Sequence, residues 1–433
     1  MSAAAFARLP ADPGAPAAQG ASGTAGSFSP ALCKSLILSI LKAMGTAFKG
    51  IALCAVGLEK ITAQELVKLG LKPLDRRPGR ISFALESDRL AIDLARANIG
   101  LRTAERVLLE LGRFPAPDFD AYFEGIASLP WELCCYKDSK IHIERVRSKD
   151  SKLASQASLQ AMGQKAAYSR LMESFDMRTM PETGNSVGVR IYLDRDECSV
   201  GVDTSGEPLH KRGYRRRTVE APLKETIAAS LLFFSGWNRK YALLDPFCGS
   251  GSIAIEAALY ALDFAPGLTR RFAFERMPVV SPKQVHTVRE DFESRIRNDV
   301  EVDIRASDID QGAVETAKAN AADAGVGDWI QFSCGKAQDL SPFSDKGHLL
   351  ANPPYGKRLG SQEEALALYA DLGAMRDRFR ARGWNMGFIT DREDFREIFG
   401  LKPASVHHLF NGAEEQWFHW YPGKEGGNVA AEE

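Results

Sequence analysis

None of the seven cysteines in this 433-residue chain forms a C-x-x-C pair. Odd in number and scattered, they exclude a disulfide framework and a cysteine zinc site, and they point to a reducing compartment. No histidine, cysteine and acid cluster stands in ligand spacing, so no metal is expected, and His407 and His408 read as strand residues. The run Leu36 to Leu41 is too short to span a bilayer, and no membrane partner is expected. An excess of either charge is missing too: 55 Lys and Arg stand against 56 Asp and Glu, a net of −1. That balance excludes a general nucleic-acid coat, so any such contact must come from local basic patches.

What is present is a chain too long for one core, 45% hydrophobic, for which two or three domains are expected. Residues 1–47 differ in texture, rich in Ala, Gly, Pro and Ser and almost without acids. We expect a disordered tail there, or an upstream start with Met44 as the functional beginning. Sparse arginine and the lack of a clear cleavage pattern speak against a targeting peptide.

The stretch Tyr241 to Ala258 organises the rest. An apolar run, Ala242 to Leu244, ends in Asp245-Pro246-Phe247-Cys248-Gly249-Ser250-Gly251 and then an Ala/Ile-rich helical segment. Glycines at 249 and 251 remove side chains that would keep a ligand off the backbone, and the helix start presents unpaired N–H groups. A P-loop would need a Lys and a hydroxyl after the glycines; the chain continues Ser-Ile-Ala, so no phosphate is expected. A dinucleotide fingerprint wants three glycines, and an acid at the head of the turn would repel pyrophosphate and welcome an ammonium. The pattern suits S-adenosylmethionine, against the alternative of an ordinary glycine-rich loop. Further along, a second strand ends in Ser307-Asp308-Ile309-Asp310. Asp308, nearest the strand end, is the better candidate of the two acids for the ribose hydroxyls. After strand Ile330 to Cys334, Asp339 is a candidate for the adenine amino group or a helix cap.

A second anchor is Leu349-Leu350-Ala351-Asn352-Pro353-Pro354-Tyr355-Gly356. The prolines lack N–H donors and fix their own φ, leaving a rigid hook of acceptors. The Asn352 side-chain oxygen and the Pro353 carbonyl can accept both hydrogens of one exocyclic amine, and Tyr355 offers a face for base stacking.

Asp245 to Gly251 with Asn352 to Tyr355 resemble the amino-methyltransferases that modify nucleic-acid bases. Leu209 to Arg215, Ala221 to Thr226 and Ala265 to Leu268 narrow this to the THUMP-domain guanine-N2 RNA methyltransferases, closest to the large-subunit (23S) rRNA branch. The similarity runs from about Lys49 to about Tyr421. It implies an α/β fold: a Rossmann-like class I methyltransferase domain preceded by a ferredoxin-like and THUMP α+β RNA-binding region. It also implies S-adenosylmethionine as cofactor, RNA as partner and a cytoplasmic location. The turn alone does not separate guanine from adenine, so a tRNA guanine-N2 enzyme, a DNA adenine-N6 enzyme and a noncatalytic assembly factor stay open.

On this basis residues 48–114 are expected to form the ferredoxin-like domain and 115–206 the THUMP-like one. Residues 207–423 would form the methyltransferase domain, followed by a tail at 424–433. Phe114 to Asp118 reads as a linker, and Val187 to Val202 as a hairpin that docks RNA or only orients the catalytic domain. Lys211, Arg212, Arg215, Arg216 and Arg217 read as phosphate contacts plus an interdomain joint. Pro222 reads as the first turn of a helix with Leu223, Ile227, Leu231 and Phe234 on one stripe. Ser361 to Glu364 reads as a capping box, and Ser405 to Phe410 with Gln416 to Trp420 as a closing hairpin.

Overall fold

The computed structural model describes residues 47–217, 222–354, 362–412 and 414–423. Tyr355, the Ser361 cap, Met44 with the amino-terminal segment, and the tail at 424–433 lie outside the described residues.

The amino-terminal half builds one mixed sheet. Its strands are β1 (Ala47–Cys54), β2 (Pro73–Arg77), β3 (Arg80–Glu86), β4 (Ala104–Pro115), β5 (Lys140–Lys149), β6 (Ser186–Asp194) and β7 (Glu197–Asp203). The order is β2-β3-β1-β4-β7-β6-β5. Helices α1 (Glu59–Lys68) and α2 (Leu90–Gly100) serve the first strands; α3 (Phe119–Ala127) and α4 (Gln156–Ser174) serve the later ones. Ile81, Phe83 and Leu85 of β3 are buried while their neighbours are half exposed, as a strand covered on one face requires.

The expected linker at Phe114 to Asp118 is not one. β4 continues through Phe114 and Pro115, which pair with Cys198 and Glu197 of β7, and the Ala116 N–H donates to the Asp196 carbonyl over 2.7 Å. Pro115, at the strand end, costs no ladder bond inside the sheet. Asp118 caps α3 instead, its carboxylate accepting the Ala121 N–H at 2.9 Å. Strand β2 was not visible in the sequence because its side chains do not alternate: four of five residues are exposed on an edge.

The carboxyl-terminal half holds the second sheet: β8 (Ala242–Asp245), β9 (Ile304–Asp308), β10 (Ile330–Cys334), β11 (Gly347–Ala351), β12 (Asn385–Thr390), β13 (Ser405–Asn411) and β14 (Glu414–Tyr421). The order β10-β9-β8-β11-β12-β14-β13 is parallel except at β14 and β13. β8 and β11 are buried along their whole length, which is why they read as continuous apolar runs. Helices α5 (Glu225–Phe234), α6 (Ser252–Ala261), α7 (Pro282–Ser294), α8 (Gln311–Asp323), α9 (Gln362–Ala381) and the short α10 (Phe395–Phe399) complete this half. Leu372, Met375 and Phe379 of α9 are buried, and Phe379 meets Trp384 edge-on; burying such side chains stabilises by about 1.5–3 kcal/mol each.

The helix expected to begin at Pro222 begins at Glu225. The Leu223 carbonyl instead accepts from Arg215 Nη2 at 2.7 Å, which holds residues 222–224 out of the helix.

Candidate active site

Connections from β8 run to β9 on one side and return to β11 on the other, so the chain reverses direction across the sheet between β8 and β11. Crevices at the carboxyl ends of parallel strands open at such a point. Leu244 pairs with Leu349, so Asn352 lies only two residues beyond the position opposite Asp245. One cavity is lined by both turns: Asp245, Phe247, Cys248, Gly249 and Ser250 from the first, Asn352 from the second, with Pro222, Leu223, Ser252 and Ile253 beside them.

The first turn needs its glycines. Gly249 and Gly251 sit at φ +51° and +87°, the left-handed region, and Gly251 precedes α6. A Cβ at 251 would come within 3.1 Å of the Ala317 Cβ on α8. The Gly249 N–H donates to Asp308 Oδ2 at 2.9 Å, and the Asp310 N–H to Asp308 Oδ1 at 3.1 Å. A carboxylate has about four lone-pair sites, so Asp308 retains acceptor capacity for hydroxyls. Asp310 is committed elsewhere, capping α8 through the Gly312 N–H at 2.8 Å, which favours Asp308 as the ribose acid.

Asp245 is 1% exposed, and among the described residues its side chain accepts the Phe247 N–H alone, at 3.3 Å. Burial pushes its pKa well above the ordinary carboxylate range, the nearby Asp308 charge pushes the same way, and the Phe247 N–H opposes both. A buried acid in that condition is suited to an ammonium group. Pro246 is buried and Gly251 caps the start of α6; neither lines the cavity. Asp339 closes a short 3-10 turn, exposed and outside the cavity; that turn is capped at Lys336, so Asp339 is not its N-cap.

Asn352 is 8% exposed, and its Oδ1 accepts no hydrogen bond from the described residues. An unsatisfied buried acceptor of this kind costs about 1–3 kcal/mol, so its donor is expected to arrive with a ligand. Pro353 is buried beside it, and the Pro354 carbonyl accepts from the Tyr369 hydroxyl of α9 at 3.4 Å.

The basic run divides. Arg212 is buried and is not a phosphate contact: its guanidinium pairs with Glu256 of α6 at 3.4 Å and donates to the carbonyls of Leu209, at 2.6 Å, and of Arg102. The Tyr214 hydroxyl donates to the same Glu256 at 3.1 Å. Arg215 is largely buried as well, paired with Glu225 at 3.4 Å and donating to Ser252 Oγ and the Leu223 carbonyl. Arg212 thus ties the two halves together through the Arg102 carbonyl, whereas Arg215 serves the carboxyl-terminal half, fastening Leu223 and Glu225 to Ser252. Lys211, Arg216 and Arg217 are exposed.

Five cavity residues escaped the sequence reading: Pro222, Leu223, Cys248, Ser252 and Ile253. Pro222 and Leu223 read as helix start and core, and Cys248, Ser252 and Ile253 carry no role of their own in or beside the glycine turn. Ile309 escaped as well: an apolar side chain 67% exposed between Asp308 and Asp310, for which period-two patterning gives no reason. Among the described residues no group of three or more His, Cys, Asp or Glu could hold a metal ion.

The reversal point, the glycine turn and the acceptor hook together define a Rossmann-like methyltransferase domain that uses S-adenosylmethionine. Residues 212–417 match the family model described as RMKL-like, methyltransferase domain, and residues 49–108 match the RlmL ferredoxin-like domain. A Bacillus subtilis protein named "Putative RNA methyltransferase YpsC" is 36% identical over 365 residues, covering 84% of this chain and 92% of its own. The "Ribosomal RNA large subunit methyltransferase K/L" of Psychromonas ingrahamii is 33% identical over 83% of this chain and 48% of its own length. The chain thus spans about half the length of such K/L relatives. The crystal structure of "SMU.472, a putative methyltransferase complexed with SAH" superposes with a TM-score of 0.81 at 32% identity, covering 89% of this chain and all of that one. The chain belongs to this RNA methyltransferase family, which joins an RlmL-type ferredoxin-like domain to an RMKL-like methyltransferase domain. Among the described residues no helix is long and apolar enough to cross a membrane.

Proposed function

We propose that the protein methylates the exocyclic N2 amine of a guanine in large-subunit ribosomal RNA, acting in the cytoplasm. The observation that carries this is the buried Asn352 Oδ1, which accepts no hydrogen bond from the described residues and lies in a cavity that the Gly249 turn also lines. Asp245 would hold the cofactor's ammonium, Asp308 its ribose hydroxyls, and Ile309 would cover one face of its adenine. Bound there, S-adenosylmethionine supplies an electrophilic methyl on a sulfonium. Asn352 Oδ1 and the Pro353 carbonyl would accept the two amine hydrogens and aim the nitrogen lone pair, so the catalytic contribution is positioning. The base must first leave its stack, at a cost of a few kcal/mol that Tyr355 would partly recover. The names of the K/L relatives support the rRNA target, and the sheet upstream of the methyltransferase domain favours RNA over DNA.

The test is mass mapping of rRNA, tRNA and DNA from cells lacking the gene. One methyl should disappear from a large-subunit guanine, return with the wild-type chain, and fail to return with Asn352→Ala, whose cofactor affinity stays near normal. Loss confined to tRNA or to DNA adenine, or normal turnover by Asn352→Ala, would refute the assignment.

A further inference from the structure

Asn320 of α8 is 0% exposed, and its side-chain amide donates to two backbone carbonyls: Ser250 in the glycine turn, at 3.0 Å, and Arg217 in the basic segment, at 3.2 Å. Both amide hydrogens thus join stretches far apart in sequence. The Asn320 Oδ1 accepts no hydrogen bond from the described residues. Asparagine is an indifferent helix former, and a buried acceptor left unmet is a cost, so helix propensity does not account for the residue. Ala317, three positions earlier on the same face, packs against Gly251, so α8 meets the glycine turn at two points.

The basic segment is fastened to that turn and the helix after it along its length. Arg212 and Tyr214 end on Glu256 of α6, and Arg215 on Ser252 in the first turn of α6. The Arg217 carbonyl ends, through Asn320, on Ser250, which lines the cofactor cavity. The side chains of Arg216 and Arg217 are exposed, and Arg216 meets Asp323 of α8 only at 3.9 Å, beyond hydrogen-bond length. A phosphate held by these two arginines fixes the backbone at 217, and a cofactor in the cavity fixes the turn at 250. One buried amide lies between the two.

We propose that Asn320 is a positioning residue that couples the two ligands: RNA phosphate at Arg216 and Arg217 and S-adenosylmethionine in the cavity strengthen each other's binding through it. Asn320 does not itself line the cavity. By linkage the strengthening factor is the same in both directions. The inference rests on the RNA reading above and adds to it a route between the RNA contact and the cofactor.

The test uses the full chain, large-subunit rRNA from cells lacking the gene, and S-adenosylhomocysteine, which has no methyl to give and so prevents turnover. Calorimetry measures its affinity with and without the RNA. In the wild-type chain the RNA should tighten it by about fivefold or more, and S-adenosylhomocysteine should tighten RNA by the same factor. Asn320→Ala should bind S-adenosylhomocysteine about tenfold more weakly without RNA and lose the RNA effect, and its KM for S-adenosylmethionine should rise more than kcat falls. Asn320→Gln keeps the amide donors and should recover part of both; if the site were only packing, its extra methylene would make it no better than alanine. Wild-type affinity indifferent to bound RNA overturns the coupling without recourse to any variant. Normal S-adenosylhomocysteine affinity in Asn320→Ala overturns the positioning role. A wild-type chain that binds S-adenosylhomocysteine but no RNA refutes the RNA reading itself, and the coupling with it.

Discussion

The Gly249 N–H donates to the Asp308 carboxylate over 2.9 Å, so the turn after one strand is held by the acid that ends the next. The bond does two things. It satisfies a donor in a backbone region that only glycine enters easily, and it sets the carboxylate beside the cavity with acceptor sites to spare.

Replacing Asp308 with alanine should therefore damage the cofactor site before the chemistry. Loss of a charge-assisted hydrogen bond predicts S-adenosylmethionine binding weaker by about ten- to a hundredfold, with a smaller change in kcat at saturation. Equilibrium binding and single-turnover rates separate the two; an unchanged affinity would show that the carboxylate faces only its own loop.

Asp245 predicts a pH dependence. Its folded pKa is raised, chiefly by burial, so the stability of the free protein is fully present below the unfolded carboxylate value and falls as pH rises through the raised one. An ammonium bound beside it favours the ionised form. S-adenosylmethionine affinity should thus increase with pH across that window, with a proton released on binding. Calorimetry in buffers of different ionisation enthalpy measures the release, and Asp245→Asn should abolish it.

Arg212 is expected to act on folding, not on RNA. Arg212→Ala would leave Glu256, which is 0% exposed, without its cation, for a loss of about 3–5 kcal/mol in chemical denaturation. Arg216→Ala and Arg217→Ala, at exposed positions, should leave the denaturation midpoint in place and weaken RNA binding. If Arg212→Ala instead proved as stable as wild type and bound RNA poorly, the buried placement would be refuted.

Gly251→Ala should cost about 1–3 kcal/mol, since φ is +87° and the new Cβ would press on Ala317. Thermal unfolding checks this, and a shift of α8 should also loosen the cofactor site.

Much of this architecture could be read from the chain because the local signals were strong and separate. Asp245 to Gly251 and Asn352 to Pro354 each end a fully buried strand, and buried parallel strands advertise themselves as unbroken apolar runs. The failures share a cause in tertiary context. Arg212 sits in a run of cations that looks solvated, and the distant Glu256 and Arg102 carbonyl draw it inside. Pro115 and Ala116 look like a linker because proline usually interrupts a strand, yet the partner ladder from β7 carries on past them. Pro222 fits a helix start by residue type, but Arg215 holds the Leu223 carbonyl elsewhere.

Strand β4 pairs with β1 on one side and β7 on the other, making it the keel of the amino-terminal half. A truncation or protease cut near residue 116 would not release two independent pieces. It would expose an unsatisfied ladder on each fragment, inviting misassembly with other chains, so this half should melt as a single cooperative body.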